Sequence, residues 1–205
     1  MDSKPMTFDG VDYLCTLRTE PQPAPLVLYS QRDPRWANLP YNTGSTFAKN
    51  GCLVCCVAMV VSAAYPEEIL PPEVAASLKR AGCFVGDFLS RPSRIPDAYP
   101  RLSWDGVVHW RDKPADMAFL RSELATYGCA IAEVKWNPNG PQPQTGNQHF
   151  IIVESLTGDD ANIIDPWDGK RKLLNQSRYS VSGHPAASWV ITGLRLVHPE
   201  SNDIL

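Results

Sequence analysis

The chain has 205 residues and a formal net charge of −3, with a pI near 5.8; that length suits one domain that buries its own core without disulfide staples. Its 19 lysines and arginines are scattered, and the single tight cluster, Lys170-Arg171-Lys172, reads as a solvated strand end, so there is no electrostatic footprint for nucleic acid. No apolar run approaches the roughly 20 residues of a membrane-spanning helix, and no Gly-x-x-x-x-Gly-Lys phosphate loop occurs.

Residues 1–25 read as an arm, with a short strand over Val11–Leu17 and a stiff connector, Pro21-Gln22-Pro23-Ala24-Pro25, ahead of a domain over 26–205. The N-terminus Met-Asp-Ser-Lys-Pro-Met lacks the apolar stretch of a secretory signal, so synthesis in a reducing cytoplasm is expected. An apolar helix is expected from Gly51 to Ala64, closed by Pro66. A second runs from Pro72 to Ala81, started by proline and stopped at Gly82, and a third from Pro114 to Tyr127, stopped at Gly128. From Cys129 the pattern changes to strands: Ala130–Trp136, His149–Ser155, Asn162–Ile164, Arg171–Leu174 and Ser188–Leu196, with a tight turn at Thr157-Gly158-Asp159-Asp160. Helices followed by an antiparallel sheet define an α+β domain.

Within that order three residues carry chemistry. Cys52 follows a glycine at the head of the apolar helix, where unpaired backbone N–H groups and the helix dipole favour a thiolate. His149 opens one strand and Asp165 closes the next, and a hairpin brings the start of the first beside the end of the second. Each type alone is ordinary packing; together they match the nucleophile, the base and the group that orients the base in a thiol hydrolase.

Four segments in this order also carry a family resemblance: Ser30-Gln31-Arg32-Asp33-Pro34-Arg35-Trp36, Gly51-Cys52, His149-Phe150 and Asp165-Pro166 followed by Gly169. From about Val27 to Gly169 the chain resembles the bacteriocin-processing-peptidase-like branch of the papain-fold cysteine peptidases, family thirty-nine of that class. The resemblance implies a papain-like fold with a helical part carrying the nucleophile packed on an antiparallel sheet. It implies a triad of Cys52, His149 and Asp165, and a side-chain amide, Gln31, as donor to the oxyanion; no cofactor or metal is called for. Tying down its own loop is the other role for Gln31, and Asn50 is a competing donor or helix cap. Transporter-linked members carry a membrane domain and an ATPase that this chain does not show, and Leu53, Val54, Cys55 and Cys56 stand where small or polar residues often follow the nucleophile. The expected substrate is therefore a peptide or amide bond, with peptidoglycan stem peptides or crosslinks foremost, cleaved by a phage-associated protein released by lysis or carried on a virion.

Other readings remain. Cys52 and Cys55 could form a redox pair or, with a histidine, a zinc site, although Cys83 and Cys129 do not supply a second ligand pair. Cys15, Cys55, Cys56, Cys83 and Cys129 lack the spacing of a disulfide framework, and Cys55 and Cys56 are expected in the core. The polar, proline-bearing loop from Trp136 to Asn147 is expected to rim the cleft, with Trp136 and Trp167 as its walls and Trp167 shielding the His–Asp pair. Trp110 is assigned to packing, and His109, His184 and His198 to surface or structural roles. The opposing functional class is a structural or binding module of a larger assembly, such as a phage particle, that keeps a peptidase scaffold; the proline-rich arm motivates it.

Overall fold

The computed structural model describes residues 4–8, 11–15, 26–139, 147–179 and 186–200, with side chains from residue 26 onward. In chain order the elements are β1 (Lys4–Phe8), β2 (Val11–Cys15), α1 (Phe47–Asn50), α2 (Cys52–Ala64), α3 (Pro71–Arg80), α4 (Ile95–Ala98), β3 (Leu102–His109), α5 (Met117–Tyr127), β4 (Ala130–Lys135), β5 (Gln148–Thr157), β6 (Asp160–Asp165), β7 (Lys170–Leu173), α6 (Ala187–Val190) and β8 (Ile191–Pro199). Strands β1 and β2 form an antiparallel hairpin. The other six form one antiparallel sheet in the order β3-β8-β4-β5-β6-β7. The chain is therefore α+β.

Helix α2 is apolar on every side because every side is covered, as expected for a central helix. Residues Leu53 to Val61 are all buried, between α3 on one side and β5 and β8 on the other. The core on this face of the sheet takes in Ile131, Phe150, Ile152 and Ile164. On the opposite face Leu120 of α5 meets Ala132, Val134, Ile151, Val153 and Ile163, so alternate residues of β4 and β5 serve two cores, and both strands read as nearly unbroken apolar runs.

Several boundaries differ from the sequence reading for identifiable reasons. Helix α2 starts at Cys52, and Gly51 joins it to the single turn of α1. A Cβ at Gly51 would lie 2.6 Å from the Phe47 carbonyl oxygen, so the joint admits only glycine. The helix ends at Ala64, with Tyr65 extended as the residue before a proline must be. Helix α3 spans Pro71–Arg80, and Glu73 accepts the Leu70 N–H at 2.8 Å. Helix α5 begins at Met117 rather than Pro114, because Asp116 caps it by accepting the N–H groups of Ala118 and Phe119 at 3.0 Å.

The two-residue turn Gly158-Asp159 joins Thr157 to its partner Asp160, with Gly158 at φ 59°. Before β8 the chain makes the turn of α6, which takes the first residues of the segment expected as Ser188–Leu196. Strands β1 and β3 were not foreseen: the Asp105-Gly106 pair hides β3, since its register shifts between Trp104 and Gly106 and breaks the alternation.

Candidate active site

Two loops converge on the N-terminus of α2. The first, from Ser30 to Trp36, is tied internally: the Trp36 indole donates to the Ser30 carbonyl at 2.8 Å, and Asp33 accepts the Arg35 N–H at 2.9 Å. The second is the turn after β6, closed by the Gly169 N–H donating to the Asp165 carbonyl at 2.8 Å. The loops dock through the Gln31 N–H on the Pro166 carbonyl at 2.6 Å and the Ser30 hydroxyl on the Trp167 carbonyl at 3.2 Å. Gly169 is required twice over, for its φ of 68° and because a Cβ would meet Ser30 at 3.2 Å.

Cys52 is partly exposed at the first position of α2, beside the His149 side chain, which with the N–H groups of Phe150 and Leu53 favours a negative sulfur. His149 Nε2 lies 3.0 Å from Asp165 Oδ1, which leaves Nδ1 for the thiol. His149 and Asp165 are almost wholly buried, at 2% and 1% exposure. Burial pushes the Cys52 thiol up, but the hydrogen bond and charge of His149 outweigh it and hold the thiol below its ordinary value. Burial pushes the imidazole down, and Asp165 and Cys52 outweigh that and raise it. Both shifts favour thiolate with imidazolium over thiol with imidazole.

Asp165 collects more partners than the sequence disclosed. It accepts the Trp167 N–H at 2.9 Å, the Tyr179 hydroxyl at 3.1 Å and Lys172 Nζ at 3.2 Å. Burial opposes its ionisation, but His149, the Trp167 N–H and Lys172 prevail and bring the carboxyl down to about 2. Lys172, read from sequence as a solvated strand end, bridges Asp165 and Asp168 instead. Tyr179 also stacks on the His149 ring, 5.0 Å between centroids. Trp136 packs edge-on to the imidazole at 5.3 Å and against Trp167 at 4.7 Å, so aromatic groups screen the pair from water.

Gln31 is 1% exposed, and its Nε2 donates to the Ala48 carbonyl at 2.8 Å. Ala48 O is the acceptor that an unbroken helix would offer to the Cys52 N–H. Gln31 thus sits on that carbonyl where the helix is interrupted at Gly51, and both Gln31 and Cys52 line the cleft. Nε2 has a second hydrogen, for which the described residues offer no acceptor. Asn50 also lines the cleft.

The cleft has a volume of about 530 Å³. Cys52, His149, Trp136 and Trp167 line it, together with Phe88, Val107, His109, Arg111 and Arg195. His109 is exposed, in keeping with its surface assignment, and lines the cleft, whereas His198 is buried against Tyr127 with 3.7 Å between ring centroids. Trp110 packs in the core at 6% exposure. His184 and the stretch 140–146 of the expected rim loop lie outside the described residues, as does the Cys15 side chain.

Cys55 and Cys56 are fully buried, and burial pushes both thiols well above their ordinary value. Cys52 is therefore expected to react with iodoacetamide at neutral pH well ahead of either. Its rate between pH 8.5 and 6.5 should fall far less than the roughly fifty-fold of an ordinary thiol. Equal labelling of the three cysteines, read by peptide mass mapping of the folded protein, contradicts the geometry. Among the described residues, no group of three His, Cys, Asp or Glu side chains is placed to hold a metal ion, and no helix is long and apolar enough to cross a membrane. Compared with known protein families, curated proteins and solved structures, the chain matches none.

Proposed function

We propose that the chain is a cysteine peptidase or amidohydrolase with a papain-like arrangement, a nucleophile helix packed on an antiparallel sheet, acting through a thioester acyl-enzyme. The observation that carries this reading is the convergence of Cys52, His149 and Asp165 on one cleft, with His149 bonded to Asp165 at 3.0 Å and acting on the Cys52 thiol. In the first half-reaction the Cys52 thiolate attacks the substrate carbonyl and the His149 imidazolium gives its proton to the departing amine. In the second, neutral His149 takes a proton from water, whose oxygen attacks the thioester and releases the acid and the thiolate. Asp165 holds the ring tautomer and stabilises the cation without itself being protonated. The Cys52 N–H and the second Nε2 hydrogen of Gln31 are the oxyanion donors in this scheme.

Stem peptides and crosslinks of peptidoglycan are the first substrates to try, on the strength of the resemblance to soluble members of the peptidase family, and a phage-borne lytic role follows from the same resemblance. The test is incubation of the purified protein with peptidoglycan and with a mixed peptide library. New amino groups and cleaved products would be read by mass spectrometry, with iodoacetamide-treated protein as control. Absence of any Cys52-dependent product from either substrate sinks the reading. Gln31→Ala should lower kcat by about a hundredfold or more with a smaller change in KM, the usual cost of one oxyanion donor. A near wild-type rate would transfer that role to Asn50 or to backbone donors alone.

A further inference from the structure

Glu133 sits in the middle of the apolar strand β4 and is 0% exposed. A carboxylate buried to that degree needs compensating charge. Arg195 of β8 supplies it, with Nη2 donating to Oε2 at 2.6 Å. That single pair would tie β4 to β8 and neutralise the carboxylate. A second guanidinium is nevertheless present: Arg111, just beyond β3, stands 3.6 Å from Oε1 of the same glutamate. Two guanidinium groups on one carboxylate leave a unit of positive charge.

Arg111 is also poorly held. Its Nη2 is outside hydrogen-bond range of Glu133, its Nε is buried without a partner, and its side chain is 34% exposed. Both arginines line the cleft that contains Cys52 and His149. Arg195 lies over the ring of Phe150, 4.9 Å from its centroid, and Phe150 is a residue whose N–H favours a negative Cys52 sulfur. The other charged groups of the cleft do not cancel this excess. Lys49 is positive, and Asp87 is committed to Thr43, whose N–H and hydroxyl it accepts at 2.7 and 3.0 Å, and to the N–H of Gly44. Burial and the nearby Arg111 hold the His109 imidazole below its ordinary value.

We propose that Arg111 and Arg195, mounted on Glu133, form an anion-binding subsite that selects a substrate carboxylate near the cleaved bond. The inference rests on the hydrolase reading above and adds the substrate class. Its position follows from the sheet order: β8 is two strands and β3 three strands from β5. At about 4.8 Å per strand this is roughly 10 to 14 Å, or about three to four residues of extended peptide at about 3.3 Å each. The carboxylate is either an acidic side chain or a free C-terminus, and planar guanidinium donors suit both.

The test uses peptides in which Glu is exchanged for Gln position by position, each made with a free and with an amidated C-terminus. Cleavage by wild type is compared with cleavage by Arg111→Gln and by the double variant Glu133→Gln/Arg195→Gln, which removes the buried pair together and leaves the partly exposed Arg111 as the remaining charge. In wild type, kcat/KM should favour the carboxylate over its amide by about tenfold at positions about three to four residues from the cut, as expected for a charge-assisted hydrogen bond in a partly open site. The set that shows the preference, internal Glu or free C-terminus, identifies the source. In Arg111→Gln the ratio should fall to within about twofold of one. A wild-type ratio near one, or a ratio unchanged in both variants, overturns the subsite and leaves the hydrolase reading standing.

If no peptide is cleaved, the same set is used to protect Cys52 from iodoacetamide. Stronger protection by the carboxylate form in wild type but not in Arg111→Gln keeps the subsite while the peptidase reading falls. Equal protection by acid and amide forms, or none, overturns it.

Discussion

Cys52→Ala is expected to lower hydrolysis by about 10⁴- to 10⁶-fold, to the level that binding and oxyanion contacts alone sustain. No other described residue can replace the thiol, since Cys55 and Cys56 on the same helix are wholly buried and face the core. The fold should survive. The Cys52 side chain is partly exposed at the helix start, so its loss removes little packing, and His149 keeps its bond to Asp165. A stability change of about 1 kcal/mol or less, hence a Tm shift of no more than about 4 °C, is expected. A thermal melt beside the peptidase assay checks both halves. Retention of more than about one per cent of the wild-type rate would remove Cys52 as the nucleophile and the acyl-enzyme scheme with it.

Asp165→Asn should cost about 10³- to 10⁴-fold in kcat while leaving the site nearly in place. Asparagine keeps the size of the side chain and can still accept from the Trp167 N–H and the Tyr179 hydroxyl. What it loses is the charge that outweighs burial of His149. The imidazole then falls back towards the neutral form, the Cys52 thiol regains its proton, and alkylation at neutral pH should slow together with turnover. Stability should also fall, by about 2 to 4 kcal/mol, because charged hydrogen bonds inside the protein are lost; the retained Lys172–Asp168 pair favours the lower end.

The pH dependence of that loss has a definite sign. The Asp165 carboxyl is held down at about 2 in the folded chain, against about 3.9 unfolded, so its stabilisation is fully present above the unfolded value and disappears as pH falls through the folded one. Urea titrations of wild type and variant should therefore differ most between about pH 5 and 6, draw together as pH falls from about 4 towards 2, and draw together again as pH rises from about 6.5 towards 9, where the raised His149 imidazole of the wild type loses its proton. Wild-type turnover in Asp165→Asn would mean that His149 needs no carboxylate partner.

Local features carried much of this into the sequence. Gly51-Cys52 before an apolar run, His149 at a strand start, Asp165-Pro166 at a strand end and the glycine turn between the two strands each depend on neighbours a few residues away. Their positions in helix, strand and turn were therefore legible, and so was the α+β class. Legibility failed where a local rule competed with a tertiary one. Asp105-Gly106 has poor strand character, yet β3 forms because β8 pairs with it through a shifted register. Ser188 to Val190 has strand-like composition but makes a helical turn before β8.

Cleft chemistry away from Cys52 was the least visible. Tyr179, Lys172, Arg111 and Arg195 are ordinary surface types by sequence, and each gains its role from a partner on another element. Glu133 alone left a trace, as one carboxylate in the apolar run Ala-Ile-Ala-Glu-Val, since a charge in a buried strand must find a counter-ion. The sequence by itself thus determined which groups sit at helix and strand ends, because backbone geometry there is a short-range matter. Only the tertiary structure decided how those groups are charged and what surrounds them: burial and Coulomb interactions act through space, between residues that the chain separates and the sheet brings together.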